Sequence, residues 1–356
     1  MRTASAAGVS FFLTLAVACG RDAGRLPSQP EAATRLVAHR FASAWSPWSE
    51  PVHLDAPVNS PCQDQTPTLS RDELSLYFTS TRRGGLGQDT PDGCQDSFDL
   101  WVAHRASRDS PWETAVNLGS PVNTSANEAG PALSPDGRLL FFYRFEGTGQ
   151  RDIYVSRRSD DDDVQGWQTP EKLGPEVNTE STEEGPTYTL HGDEGGPTLY
   201  FDRGSPPVMT DIYAVPITGG GRIRGPARLV SELNSSVEDN HASIRADGRE
   251  IFFNSRRPGS AGFDIWTAHR ETVHDAWSTP VNLGPPVNSQ FPEFHPNVSF
   301  DGRTLLFISG PARGGLGRFD IWMTTRAPLS QEVEGEDDAQ VEPRDDRRFS
   351  GEDHQR

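Results

Sequence analysis

The feature that most constrains the fold of this chain is a fivefold internal repeat. The consensus of each copy is W-x-x-P-x-x-L, V-N-S/T, an acidic residue, P-x-L-S-x-D-G, an apolar strand, a Gly-rich loop and D-I-W/Y. The second copy, from Trp112 to Tyr154, follows it most closely. One anchor Asn marks each copy, at intervals of 54 to 64 residues: Asn59, Asn123, Asn178, Asn234 and Asn288. Such a period indicates a repeat architecture rather than two unrelated domains.

Each copy contains four short β-rich runs separated by turn residues. Four strands per copy predict an all-β propeller of four-stranded blades, and five copies predict five blades. The strand that opens each copy is expected around Leu54, Leu118, Leu173, Leu229 and Leu283. The repeats begin with this strand and end near residue 326 without another copy of it. We therefore expect the N-terminal strand to complete the last blade and close the ring.

The segments PALSPDG (residues 131–137) and DIY (residues 152–154) resemble the propeller repeats of the TolB family and its WD-like relatives among bacterial lipoproteins. The resemblance covers residues 45–326. It implies a propeller in the cell envelope that serves protein assemblies. TolB itself is six-bladed, so the expected blade number rests on the five repeats of this chain.

The first nineteen residues resemble a bacterial lipoprotein signal peptide. Arg2 supplies a positive charge, and residues 9–18 form an apolar run that is too short to span a bilayer. The run leads to Cys19 in a sequence that resembles a lipobox, although Ala16 replaces the usual Leu. The alternative is an ordinary secretory signal cleaved after Ala18. Both interpretations predict export, and lipidation of Cys19 predicts a membrane-anchored lipoprotein on the periplasmic or cell-surface side of the envelope.

Composition and charge define the remaining segments and the partners. Residues 20–44 are expected to be a flexible tether, residues 45–326 the propeller, and residues 327–356 a disordered charged tail. The formal net charge of −18 excludes nucleic acid as a partner, because binding to nucleic acid depends on Lys and Arg that neutralise phosphates. Envelope proteins are the expected partners, the lipid anchor is the expected membrane contact, and the propeller is expected to be monomeric.

An acidic residue follows each anchor Asn by five positions, just ahead of the innermost strand of the blade. These positions predict a ring of carboxylates near the mouth of the central channel, which could hold a hard cation such as Ca²⁺. The alternative is a structural role in which each carboxylate caps loop amides. The five residues are Asp64, Glu128, Glu183, Asp239 and Glu293.

Two positions beyond the acid, the last two blades carry His241 and His295, whereas the other blades carry Thr or Gly. With Asp239 and Glu293, these residues predict a cluster of two His and two carboxylates across adjacent blades. Such a cluster suits a transition metal or proton transfer. The alternative is a pair of loop histidines that only form hydrogen bonds. No other cofactor is predicted.

Cys62 and Cys94 occur in the same blade, the first before the innermost strand and the second in an insertion between the second and third strands. In an exported protein they predict a disulfide that staples two loops on one side of the blade. The Gly-rich stretches at residues 83–87 and 313–317 are predicted to be turns, because no Gly-Lys-Ser/Thr follows them.

These observations favour a non-catalytic protein-binding or scaffolding module, and they assign no catalytic residue. No G-x-S-x-G nucleophile motif is present. One alternative is a glycoside-processing enzyme, because five-bladed propeller glycosidases place their acids around the same channel mouth. A metal-dependent enzyme at the channel mouth is a further alternative.

Overall fold

The computed structural model describes residues 45–147, 149–160, 163, 166–193, 195–204 and 210–329. Cys19, the predicted tether and most of the predicted tail lie outside the described residues. The described part is all-β apart from one short 3₁₀ helix, Pro311–Arg313. Within the ranges just given, no helix has the length and hydrophobicity that crossing a membrane requires.

Twenty strands form five antiparallel sheets of four strands. The N-terminal strand is β1 (Val52–His53). The innermost strands are β2 (Asp64–Leu69), β6 (Glu128–Leu133), β10 (Thr182–Thr189), β14 (Asp239–Ile244) and β18 (Glu293–Val298). The second strands are β3 (Ser75–Arg82), β7 (Leu139–Glu146), β11 (Thr198–Gly204), β15 (Glu250–Ser255) and β19 (Thr304–Ser309). The third strands are β4 (Cys94–His104), β8 (Gln150–Arg157), β12 (Asp211–Pro216), β16 (Asp264–His269) and β20 (Asp320–Thr325). The remaining outermost strands are β5 (Val116–Asn117), β9 (Glu171–Lys172), β13 (Arg228–Leu229) and β17 (Val281–Asn282).

The sheets are the blades of a five-bladed β-propeller, as the repeat predicted. Four blades are continuous in sequence, whereas the fifth has the order β1-β20-β19-β18. Val52 lies opposite Met323, and His53 lies opposite Trp322, in antiparallel pairing. The prediction that the N-terminal strand completes the last blade is therefore confirmed.

The register of the third blade differs from the sequence prediction by one residue. In the other blades the Leu after the outermost strand donates its N–H to the carbonyl of the middle residue of the D-I-W/Y motif on the third strand. In the third blade Val230 makes this bond, to the carbonyl oxygen of Ile212 at 3.0 Å. Val230 is buried, whereas Leu229 is 46% exposed. Val230, rather than the predicted Leu229, is thus the equivalent of the other four Leu residues.

The side-chain amide of the anchor Asn in each copy makes the two hydrogen bonds that a strand residue would make with its backbone. Asn123 is almost fully buried, and its side-chain amide bonds to both the N–H and the carbonyl of Leu100, at 2.9 Å each. The other four Asn residues bond in the same way to the middle residue of the D-I-W/Y motif, at 2.8 to 2.9 Å. Since buried backbone groups require partners, these amides complete the sheet where the outermost strand ends.

Five hydrophobic clusters, one at each blade interface, form the core. The Trp residues of the repeat belong to these clusters, so they pack between neighbouring blades. Four of them also contact an Arg that follows the third strand, with the guanidinium 4.2 to 4.4 Å from the ring centre. These contacts combine burial of a large aromatic surface with a cation–π interaction.

Candidate functional site

Two kinds of loop make up one end of the propeller, which we call the upper face. They are the loops that lead into the innermost strands and the loops between the second and third strands. The opposite end, formed by the S-x-D-G turns, is the lower face. Trp45 pairs with Pro328 next to the start of β1 and the end of β20, so the chain enters and leaves the propeller at the lower face.

The five predicted ring carboxylates begin the innermost strands at the upper face, and all have 0% exposure. Each accepts hydrogen bonds from the backbone N–H and the hydroxyl of a Ser or Thr four residues earlier. The N–H distances are 2.6 to 3.2 Å and the hydroxyl distances 2.6 to 2.7 Å. The capping residues are Ser60, Thr124, Thr179, Ser235 and Ser289.

Each ring carboxylate also pairs with an Arg at or just beyond the end of the second strand of its own blade, at N–O distances of 2.5 to 3.2 Å. Each guanidinium lies 4.7 to 5.5 Å from the aromatic ring of the D-I-W/Y motif. These Arg residues were not predicted from the sequence, although an Arg recurs at or just beyond the end of the second strand in every blade: Arg82, Arg144, Arg203, Arg257 and Arg313.

The ring carboxylates are therefore bonded within their own blades. Burial raises the pKa of Glu183 and of Glu293, while the Thr or Ser bonds and the Arg partner oppose that shift. None of the five lines the narrow cavity on the channel axis described below. This geometry matches the capping role that the sequence left open beside cation binding.

The predicted four-residue cluster is only half formed. Asp239 pairs with Arg257 and Ser235, and Glu293 pairs with Arg313 and Ser289, so both carboxylates are bonded within their own blades. Within the described part of the chain, no group of three or more His, Cys, Asp or Glu side chains is placed to hold a metal ion. The predicted convergence with Asp239 and Glu293 is thus corrected, because local partners already satisfy those acids.

The two imidazoles do come together on the channel axis. Each innermost strand contains a bulge two residues beyond the acid, and all five bulge residues have positive φ, from 48° to 65°. These residues and their neighbours line a cavity of about 30 Å³ in the centre of the propeller. The bulge residues are Thr66, Gly130, Gly185, His241 and His295.

The His241 and His295 rings lie 3.9 Å apart, centre to centre, with an interplanar angle of 34°. The backbone N–H of His241 donates to Asp202 at 2.8 Å, and the N–H of His295 donates to Asn254 at 3.0 Å. Both ring nitrogens of His241 and Nδ1 of His295 are buried and have no hydrogen-bond partner in the described structure. Burial lowers the pKa of His241 to about 3 and the pKa of His295 well below its usual value, so both rings are neutral at pH 7.

A second acidic pair, not predicted from the sequence, lies beside the imidazoles. Glu184 and Asp202 are opposite each other on β10 and β11. Asp202 is fully buried, and its Oδ2 lies 3.5 Å from Nδ1 of His241. Glu184 pairs with Arg151. Burial raises the pKa of both carboxyls, and the Glu184 charge raises that of Asp202 further.

The predicted disulfide between Cys62 and Cys94 is confirmed. It joins two upper-face loops of the first blade, and the carbonyl of Cys62 accepts the N–H of Arg318 in the fifth blade at 3.2 Å. The Gly-rich stretches are turns, as predicted. Their Leu residues, Leu86 and Leu316, are 45% and 54% exposed on these adjacent blades.

Comparisons with known proteins define the class of fold. No protein-family model matches the chain, and no curated protein matches it in sequence. A thermostable family-43 glycoside hydrolase is similar in structure, with a TM-score of 0.53 and 13% identity, over 78% of this chain and 93% of the other. At that identity the likeness shows the propeller fold alone.

Two further solved structures are similar at lower TM-scores. TolB from Acinetobacter baumannii has a TM-score of 0.42 and 15% identity, over 75% of this chain and 55% of the other, so this chain spans about half of that protein. The alpha-L-arabinofuranosidase from Lactobacillus brevis has a TM-score of 0.49 and 13% identity, over 80% and 96% of the two chains. The propeller architecture is shared with the family-43 glycoside hydrolase, and that likeness does not distinguish an enzyme from a binding protein.

Proposed function

We propose that this protein is an exported, envelope-anchored propeller that binds protein partners and is not an enzyme. The observation that carries the proposal is the pairing of every ring carboxylate with an Arg of its own blade. Glycoside hydrolysis requires one carboxyl that can donate a proton and a second that attacks or activates water. Five acids in one repeated, neutralised environment do not offer that division of roles.

The proposed binding surface is the upper face. The chain enters and leaves at the lower face, so a tether running to a lipid on Cys19 would leave the upper face free. Leu86 and Leu316 expose apolar side chains there on adjacent blades, beside loops fixed by the disulfide. Exposed apolar residues on rigid loops are typical anchors of protein interfaces. The formal net charge of −18 favours a partner with a basic rim.

The test is crosslinking in intact cells of the producing bacterium, followed by identification of the crosslinked proteins. The double variant Leu86→Asp/Leu316→Asp is expected to lose a discrete crosslinked partner. Leu229→Asp is the matched control, because Leu229 is equally exposed on the outer edge of the third blade. Retention of the same partner by the double variant, or its loss in the control as well, would contradict the proposed surface.

A glycoside-processing enzyme is the second candidate, and the pair Glu184 and Asp202 is the observation that favours it. The two carboxyls are adjacent and have raised pKa values, as catalytic acids often do. Against this candidate, they are 7% and 0% exposed, respectively. Turnover of a panel of aryl glycosides that is abolished by Asp202→Asn or by Glu293→Ala would replace the binding proposal with this one.

A further inference from the structure

We propose that His241 and His295 form a binding site for one late first-row transition-metal ion, such as Zn²⁺ or Ni²⁺, on the axis of the propeller. Asp202 holds the backbone N–H of His241, and water completes the coordination. This site does not depend on the proposed protein-binding role.

The first argument is the backbone conformation at the two positions. His241 and His295 have φ of 52° and 51°, in the left-handed region that residues with a Cβ rarely adopt. Gly130 and Gly185 occupy the same bulge in the second and third blades. The fold therefore accepts Gly here at lower conformational cost, and the two His residues are not explained by the backbone.

The second argument is the state of the ring nitrogens. Buried polar atoms in folded proteins are nearly always hydrogen-bonded, and each exception indicates a missing water or ion. Three nitrogens of this pair have no partner among the described residues. The adjacent cavity of about 30 Å³ is large enough for one small ligand. A ligand with an affinity for nitrogen lone pairs would satisfy these atoms.

The third argument is the chemistry of the donors. Neutral imidazole is the commonest metal ligand in proteins, and the two rings lie 3.9 Å apart, centre to centre. Asp202 Oδ2 accepts the backbone N–H of His241 at 2.8 Å and lies 3.5 Å from Nδ1 without a hydrogen bond to it, so both ring nitrogens of His241 are available to a ligand. Imidazole nitrogen favours zinc, nickel, copper or iron over calcium. No third protein ligand converges with the two rings in the described residues, which leaves the other coordination positions to water.

The experiment uses the purified full chain, stripped with chelator and titrated separately with ZnCl₂, NiCl₂ and CaCl₂. We expect one equivalent of Zn²⁺ or Ni²⁺ per chain by calorimetry and by elemental analysis after gel filtration, and no uptake of Ca²⁺. Failure of the stripped protein to take up either transition metal overturns the proposal and leaves water as the occupant of the cavity.

Four variants test the location of the site. His241→Gly and His295→Gly are each expected to weaken binding at least tenfold while folding normally, because Gly stands at this bulge in two other blades. His274→Asn, at an exposed histidine that does not line the cavity, is the control and should bind as the unaltered protein does. The double variant His241→Asn/His295→Asn provides a second test if the Gly variants lose thermal stability, because Asn tolerates positive φ. Unchanged binding in the His variants would place the metal elsewhere and refute the site.

Discussion

The anchor Asn provides the sharpest stability prediction, and Asn123→Ala is the change we would make. Asn123 is 1% exposed and bonds to the N–H and carbonyl of Leu100, which is itself fully buried. The substitution leaves both backbone groups without a partner. A buried polar group that loses its partner costs about 1 to 3 kcal/mol, so we expect a loss of about 3 kcal/mol in the free energy of unfolding.

For a domain of this size, each kcal/mol corresponds to roughly 2 to 4 °C in Tm, so the expected decrease for Asn123→Ala is roughly 6 to 12 °C. The assay is thermal and urea unfolding followed by circular dichroism. Ser125→Ala, at an exposed position in the same loop, is the control and should change stability by less than about 0.5 kcal/mol. If Asn123→Ala and Ser125→Ala have the same Tm and the same urea midpoint, the reasoning that the amide completes the sheet is wrong.

The remaining predictions concern the disulfide, pH and the lipid anchor. The paired substitution Cys62→Ala/Cys94→Ala, which opens a loop with a sequence separation of 32, should cost about 3 to 4 kcal/mol, and reductant should lower the Tm only of the unaltered protein. Burial lowers the pKa of His269 below its usual 6.5, so the unfolded chain binds a proton at this residue more readily than the folded chain does. The stability that depends on neutral His269 is present at neutral pH and declines as the pH falls below 6.5. His269→Gln should therefore reduce the loss of Tm between pH 7 and pH 5. An equal Tm loss in that variant would assign the pH effect to other groups. Cys19→Ser should move the protein from the membrane fraction to the soluble fraction, as immunoblotting would show, whereas continued membrane association would refute lipid anchoring.

Much of the architecture could be predicted because it is encoded once per repeat. Each copy carries its own turn residues and strand patterns, so counting copies gave the number of blades, and the unmatched strand near Val52 gave the way the ring closes. The register of the third blade could not be predicted in this way. The repeat pattern points to Leu229, but the backbone hydrogen bond identifies its neighbour Val230 as the equivalent of the Leu in the other four blades.

The candidate site was only partly predictable, because the sequence does not show whether a polar side chain bonds to a near or to a distant partner. Asp239 and Glu293 were expected beside the imidazoles, but a Ser four residues earlier and an Arg at the end of the hairpin are closer partners. Asp202 was missed because its sequence context carries no motif. It lies near His241 only because neighbouring blades pack against each other.

The sequence by itself determined the propeller, its five blades, the closing strand and the pairing of Cys62 with Cys94, because those features follow from the local periodicity and from the position of both cysteines in one blade. The tertiary structure alone decided which polar groups meet. Closing five blades around an axis brings His241 and His295 into ring contact although they are far apart in the chain. The same closure buries their nitrogens, and burial, which no local pattern records, is what makes this pair chemically distinct.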